Sequence, residues 1–345
     1  MATADITIRG AGIFGLSIAW ACVKRGARVQ LVDPHGPAAG ASGGIVGALA
    51  PHVPENWNAK KAFQLDSLLM AEAFWHDITN TGGQSPGYAR TGRVQPVADA
   101  HALDLARSRG DGADTLWAGQ ATWQVRAIEN SPWGLTSATG FEVFDTLSAH
   151  IHPRQACAAL VAALAARGVT VAADAPDQGA TVHATGVAGL EALNAGHSRT
   201  VGAGIKGQAV LLDHDASGAP QLFVDGLHII PHMDGTTAIG STTEREFDNP
   251  TGTDAQLDAI LDRARALVPA LRDAPVLARW AGLRPRSRSR APMLGPWPDR
   301  PGHFIANGGF KIGFGMAPKV AEVMADLILE NRDSIPPGFE VAASL

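Results

Sequence analysis

Apolar residues recur along this chain with two different periods, and the switches between them mark its elements. Residues 6–9 form a short apolar run suited to a buried strand. A helical pattern follows over 16–25, Gly26 stops it, and 29–32 reads as a second strand closing on Asp33. Residues 59–78 place Phe63, Leu65, Leu68, Leu69, Ala73 and Phe74 along much of one helical face. Residues 88–98 read as a strand or hairpin arm, 101–107 as a short helix, and 140–151 as a strand. An Ala-rich helix is predicted over 154–166, stopped by Gly168, with a parallel strand at 169–172. Residues 181–186 look like a buried strand ending in a small-residue turn. Successive strands are predicted at 205–213, 221–232 and 236–242, with Asp234-Gly235 as the hairpin turn between the last two. A helix over 254–268, strands at 276–284 and 303–307, and a helix over 316–330 complete the pattern. The stretches near 80–87, 108–114, 213–220 and 295–302 read as ordinary connections.

The junction of the first strand and helix carries the clearest chemistry. Gly10-Ala11-Gly12-Ile13-Phe14-Gly15 lies between them, the dinucleotide-binding pattern in its required strand–turn–helix setting. Gly10 allows the tight turn, Gly12 admits a pyrophosphate close to backbone N–H groups, and Gly15 lets the helix lie against the strand. The helix start supplies unpaired N–H groups and the positive end of a dipole. Asp33 stands where a carboxylate accepts hydrogen bonds from a ribose diol.

Bulk properties exclude several classes. With 345 residues and 46% hydrophobic content, the chain can bury the core of two domains, or of one large α/β body with an inserted sheet. No stretch is apolar for long enough to span a membrane as a helix, and the motif begins too early to leave room for a secretion signal. Cys22 and Cys157 are the only cysteines, which argues against a disulfide framework and fits a cytoplasmic setting. The net charge of −5, without a basic stripe, argues against a nucleic-acid partner. The one concentrated basic run is Arg284-Pro285-Arg286-Ser287-Arg288-Ser289-Arg290.

Four further segments accompany the opening motif in order: Gly40-Ala41-Ser42-Gly43-Gly44 with Gly47-Ala48-Leu49-Ala50-Pro51; Ala184-Thr185-Gly186; Ala281-Gly282-Leu283-Arg284-Pro285; and Gly308-Gly309-Phe310-Lys311-Ile312-Gly313. Together they resemble the FAD-dependent D-amino-acid oxidase superfamily, in particular its glycine and sarcosine oxidase-like branch, over nearly the whole chain. The resemblance implies an α/β fold: a Rossmann-like FAD-binding domain interleaved with a substrate domain of mostly antiparallel sheet plus helices. The FAD-binding part is expected from residues 1–52, 148–204 and 295–345, and the substrate part from 53–147 and 205–294.

The same resemblance implies noncovalent FAD, because neither cysteine lies near the C-terminal flavin turn. It assigns FAD contacts to Gly10 through Gly15, to Asp33, Pro34 and His35, and to Ala41, Ser42, Gly43, Gly47, Ala48 and Leu49. It adds Val171, Thr185, Gly186, Gly308, Gly309, Phe310, Lys311 and Ile312. Ser42 is the expected side-chain contact, within a loop whose small residues let backbone approach a flat ring. Arg284 is expected to hold a substrate carboxylate through its planar fork. Lys311 is expected to support negative charge on reduced flavin or on the carboxylate. The family's substrate-binding tyrosine has no counterpart, since Tyr88 is the only tyrosine. His228 is a candidate replacement, and His52 a candidate facing the flavin or the entrance. Arg286, Arg288 and Arg290 are expected to be solvated or ion-paired.

The implied activity is oxidation of the C–N bond of a small amino acid or secondary amine to an imine. Flavin N5 accepts the hydride, no acid–base dyad is required, and dioxygen or an electron-transfer partner accepts the electrons. Two alternatives share the fold: removal of a carboxymethyl group from a tRNA wobble base, and a non-catalytic protein that retains FAD.

Overall fold

The computed structural model describes residues 3–345. The elements are, in chain order, β1 (Ile6–Arg9), α1 (Ile13–Lys24), β2 (Val29–Val32), β3 (Ala48–Leu49), α2 (Ala59–Gly82), β4 (Arg93–Pro96), α3 (Ala100–Leu116), β5 (Trp123–Ala127), β6 (Phe141–Asp145) and β7 (Ala149–His150). There follow α4 (Pro153–Ala166), β8 (Val171–Ala172), β9 (Ala180–His183), α5 (Gly186–Ala195), β10 (Gly202–Asp213), β11 (Gln221–Val224), β12 (Leu227–Pro231) and β13 (Thr236–Gly240). The chain ends with α6 (Ala255–Leu267), β14 (Val276–Ser287), β15 (Met293–Pro296), β16 (His303–Asn307) and α7 (Gly313–Glu330).

Two large sheets organise these elements. The first has the order β15-β16-β9-β1-β2-β8 and is parallel except at β15. Its central strand β1 buries Ile6, Thr7 and Ile8 on both faces, as a covered parallel strand should. The helices α1, α2, α4 and α7 share its main core, with Leu16, Trp20, Leu68, Trp75, Leu160, Met316, Val320 and Met324 buried among them. On α7, Met316, Val320 and Val323 recur at helical spacing and face this core.

The second sheet has the order β14-β10-β13-β12-β11-β4-β6-β5 and is antiparallel apart from β11 with β4. One of its faces packs Val210, Leu222, Ile229 and Ile239 against Leu257, Leu261 and Ala264 of α6. The other face turns toward the loop that follows β2. There Val46 abuts Gly240, and Trp280 abuts Gly44.

Several boundaries depart from the pattern-based reading, each for a local reason. The stretch 108–114 is not a loop: α3 runs through it to Leu116, because Gly110 and Gly112 serve packing rather than breaking the helix. A Cβ on Gly112 would lie 2.4 Å from the Pro54 carbonyl oxygen. The run 221–232 is two strands, folded at Asp225-Gly226, where both residues have positive φ (47° and 75°). The run 140–151 breaks after Asp145, whose buried carboxylate binds Arg93 at 3.0 Å and caps the Ser148 N–H at 2.8 Å. Residues 88–98 shrink to β4, while β5 and β15 had no clear signal. The turn expected at 184–186 opens a helix, α5, which buries Leu190 and Leu193. Both cysteines are free and buried, and burial pushes each thiol up to about 12.

Candidate functional site

The β1–α1 turn is shaped first by collisions within the protein. Gly10 has φ +105°, and a Cβ there would sit 2.3 Å from the Ala184 carbonyl oxygen. A Cβ on Gly15 would sit 1.8 Å from the Gly10 oxygen. Gly12 differs: a Cβ there would meet only Ser42, at 3.2 Å from Oγ. Its bareness therefore leaves an approach open beside the helix start, as a pyrophosphate requires. No side chain of Gly12 caps α1, and Ser42 Oγ accepts the Ile13 N–H at 2.9 Å instead. The hydroxyl proton of Ser42 remains free to donate to an anion.

Asp33 is oriented by backbone. Its Oδ2 accepts the Ala11 N–H at 2.8 Å and its Oδ1 the His35 N–H at 2.9 Å, across the turn containing Pro34. Each oxygen keeps further acceptor capacity for a ribose hydroxyl. Val171 pairs with Leu31 beside it, and the Ala172 carbonyl accepts the Asp33 N–H at 2.9 Å. Across the turn, Thr185 precedes α5, and Gly186 (φ +58°) presents a carbonyl that Asn307 Nδ2 holds at 2.8 Å. No Lys or Arg belongs to these turns; backbone donors and one hydroxyl do the work.

The loop after β2 carries Ala41, Ser42 and Gly43 in a single 3-10 turn and then runs to β3. A Cβ on Gly47 would lie 1.9 Å from the Ile151 oxygen, and one on Gly43 2.5 Å from the Ala38 oxygen. Ala48 and Leu49 pair with His150 and Ala149. The C-terminal turn, Gly308 to Ile312, bridges both sheets. Gly309 packs on the Phe14 ring, and the Phe310 N–H donates to the Pro285 carbonyl at 2.9 Å. The turn leads into α7, whose N-terminus has no side-chain cap.

Strand register builds the other end of the site. Ala209 pairs with Trp280, Gly207 with Gly282, and Ile205 with Arg284. Alternation therefore sets Trp280, Gly282 and Arg284 on one face of β14. Gly240 pairs with both Ala209 and His228, extending the same row. The Arg284 guanidinium lies directly over Gly207, where a Cβ would be 1.6 Å from Nη1. Arg284 is 9% exposed, and its Nη1 donates to the Thr242 carbonyl at 3.3 Å. Its guanidinium carbon lies 5.8 Å from the Trp280 ring centre. Among the described residues no carboxylate lies within 4.0 Å of it. Burial lowers its pKa to about 10, which still leaves it charged at neutral pH.

Lys311 Nζ donates to Thr243 Oγ1 at 2.7 Å. Much of its side chain is open to solvent, but desolvation at the ammonium and the Arg284 charge lower its pKa. His228 stacks at a tilt on Phe223, its Nδ1 buried without a partner. Burial pushes it down to about 4, with the Arg93 and Lys311 charges acting the same way, so the ring is neutral at pH 7. His52 is held elsewhere: its N–H donates to Gln64 Oε1 at 2.8 Å, and its Nδ1 contacts the same oxygen. Among the described residues no hydrogen bond joins His52 to Arg284, Lys311 or His228. Among the described residues no Asp or Glu side chain pairs with Arg286, Arg288 or Arg290; Arg288 Nη2 donates to the main-chain oxygen of Leu345 at 2.6 Å. Pattern reading missed Trp280, Gly207, Thr242 and Thr243, whose roles depend on register and on the segment after β13.

A glycine-rich phosphate turn on a parallel sheet, beside an antiparallel sheet with a buried arginine, fits an enzyme that binds a dinucleotide cofactor. The chain belongs to the DAO family of FAD dependent oxidoreductases, whose model matches residues 5–327. Its cofactor is accordingly FAD, and the open approach at Gly12 with the Ser42 hydroxyl and Asp33 fits it. Glycine oxidase of Pseudomonas aeruginosa is 34% identical over 134 residues, which are 39% of this chain and 37% of that protein. The chain thus matches about a third to a half of the length of the first of its curated relatives, 53% for the bifunctional protein ThiO/ThiG of Nostoc. The crystal structure of glycine oxidase from Geobacillus kaustophilus superposes with a TM-score of 0.81 at 22% identity, covering 98% of both chains. That of iminodiacetate oxidase from Chelativorans gives 0.82 at 21%, covering 96% of this chain and 97% of the other. Among the described residues no helix is long and apolar enough to cross a membrane.

Proposed function

We propose that the chain oxidises the C–N bond of a small amino acid or secondary amine to an imine. The observation that carries this reading is Arg284, a guanidinium nine-tenths buried with no carboxylate within 4.0 Å among the described residues. A buried charge without a counter-charge is costly, and a substrate carboxylate supplies one in bidentate geometry. Gly207 keeps the sheet bare under the fork, and the Trp280 ring flanks it. Neutral His228 offers a lone pair or an N–H to the amine, in place of the family's tyrosine hydroxyl. Lys311 and the uncapped start of α7 supply positive potential beside the flavin turn.

Bound FAD supplies the two-electron acceptor for this chemistry. Oxidation removes two electrons and two protons from the HC–NH unit, leaving C=N. Water then adds at carbon, the C–N bond breaks, and a carbonyl product and an amine depart. The residues contribute positioning and electrostatics, and no acid–base dyad is needed. The electrons pass on to dioxygen or another acceptor. Two free thiols support a reducing, cytoplasmic setting. The names of the relatives, glycine oxidase and iminodiacetate oxidase, support the substrate class.

Anaerobic mixing of the FAD-loaded protein with D-amino acids, N-methyl amino acids and cyclic imino acids tests the proposal. At least one class is expected to bleach the oxidised-flavin absorbance. No bleaching across the whole panel, at full FAD occupancy, removes the reading. Admitting air afterwards separates dioxygen from other acceptors.

A further inference from the structure

One carboxylate on Arg284 leaves a second cation unmatched. Arg284 hangs from the carbonyl of Thr242 and Lys311 from the hydroxyl of the next residue, Thr243. Their charged heads are thus anchored on adjacent residues, whose Cα atoms are about 3.8 Å apart. Neither head has a carboxylate within 4.0 Å among the described residues. The nearest acid that acts on Arg284 is Glu244, and its oxygens are already engaged. Gln208 Nε2 donates to its Oε1 at 3.0 Å, the Thr242 hydroxyl donates to the same oxygen, and Lys206 Nζ lies 3.3 Å from its Oε2.

The positive charge continues outward. The Phe310 ring centre lies 5.9 Å from Lys311 Nζ and 5.7 Å from the Arg286 guanidinium carbon, so one ring links the two cations. Arg245 and Arg290 act on Arg286, and Lys60 Nζ donates to the Arg290 carbonyl. None of these cations pairs with a carboxylate among the described residues. Elsewhere in this acidic chain cations do find acids: Arg25 with Asp326, Arg93 with Asp145, Arg109 with Glu55. Unpaired like charges repel, and they persist together where an anion of more than one charge is recognised.

We propose that the substrate carries two carboxylates: an acidic amino acid or an N-carboxymethyl amino acid. Arg284 holds the carboxylate on the carbon that is oxidised, and Lys311 with Arg286 holds the second. This rests on the amine-oxidation reading above and names the substrate class of that site.

The test compares matched pairs that differ by the second carboxylate: iminodiacetate against sarcosine, and aspartate against alanine in both hands. Steady-state kinetics are measured on the FAD-loaded wild type and on Lys311→Met and Arg286→Met. The wild type is expected to favour the dicarboxylate of one pair by at least about tenfold in kcat/KM, expressed mainly in KM. Arg286→Met is expected to cut that preference several-fold while leaving the monocarboxylate within about twofold, and Lys311→Met to abolish it. Flavin content is expected to stay unchanged in both variants, and flavin reduction potential in Arg286→Met. If Lys311→Met slows both members of each pair equally, Lys311 does not read the second carboxylate and the inference falls. If monocarboxylates bleach the flavin and dicarboxylates do no better, the inference falls while the amine-oxidation reading stands. If no member of any pair bleaches it and the wider amine panel also fails, both fall.

Discussion

The two ends of the site meet negative charge in different ways. At the β1–α1 turn there is no formal cation: Ile13 N–H, the Ser42 hydroxyl and the helix start face the open side of Gly12. At the sheet face, 9%-exposed Arg284 and Lys311 carry full charges with no protein carboxylate beside them. The roles proposed above, cofactor at one end and substrate at the other, account for the difference. A resident pyrophosphate is bound by many fixed dipoles in one geometry, which require no counter-charge when the group is in place. A substrate that enters and leaves is oriented by a small number of strong, directional charges. Damage to the first end should remove the cofactor, and damage to the second should spare it.

The sharpest way to break that division is Gly15→Ala. The new Cβ falls 1.8 Å from the Gly10 oxygen, so helix and strand must part. We expect FAD affinity to fall on the order of a hundredfold, and activity with it, measured as flavin absorbance per protein after dialysis. Retained flavin with lost turnover would erase the distinction between the ends.

Gly207→Ala probes the other end. Its Cβ would lie 1.6 Å from Arg284 Nη1, in a strand whose backbone any residue can adopt. The guanidinium must move off its seat, and KM for the amino-acid substrate is expected to rise about tenfold with FAD content intact. A parallel loss of flavin would show that this strand supports the cofactor instead.

The smallest effect concerns pH. His150 pairs with Ala48 of β3, is fully buried, and has no partner for either ring nitrogen among the described residues. Burial pushes it down to about 4. The unfolded chain therefore binds more protons between about pH 6.5 and 4, and stability falls as the pH drops through that window. His150→Leu should flatten the decline of unfolding free energy with acid, by up to about 1.4 kcal/mol per pH unit, measured by chemical denaturation across that window. An unchanged slope assigns the acid sensitivity to His228 and His232, held at about 4 and about 3.

How far each end could be read from the sequence follows the same contrast. The phosphate turn is local: Gly10 through Gly15 and Asp33 lie within one βαβ unit, so spacing alone discloses them. Arg284 was visible only inside its Gly-Leu-Arg-Pro segment. Its partners Gly207, Thr242 and Trp280 become neighbours through β10–β14 register, which no local pattern encodes. Thr243 gains its place only when the 308–312 turn brings Lys311 across. The stretch 108–114 reads as a connection but continues α3, and Gly112 lets that helix lie close to Pro54. Asp225-Gly226 carried a clear turn signal that the long apolar run around it obscured.

The central claim is that Arg284 is the carboxylate anchor of a site distinct from the cofactor's phosphate end. The most direct measurement titrates the bound flavin's spectrum with a non-reactive carboxylate ligand, in FAD-loaded wild type and in Arg284→Met. The account predicts a ligand Kd weakened by about 10²- to 10³-fold at unchanged FAD content. An unchanged Kd in the variant would contradict it.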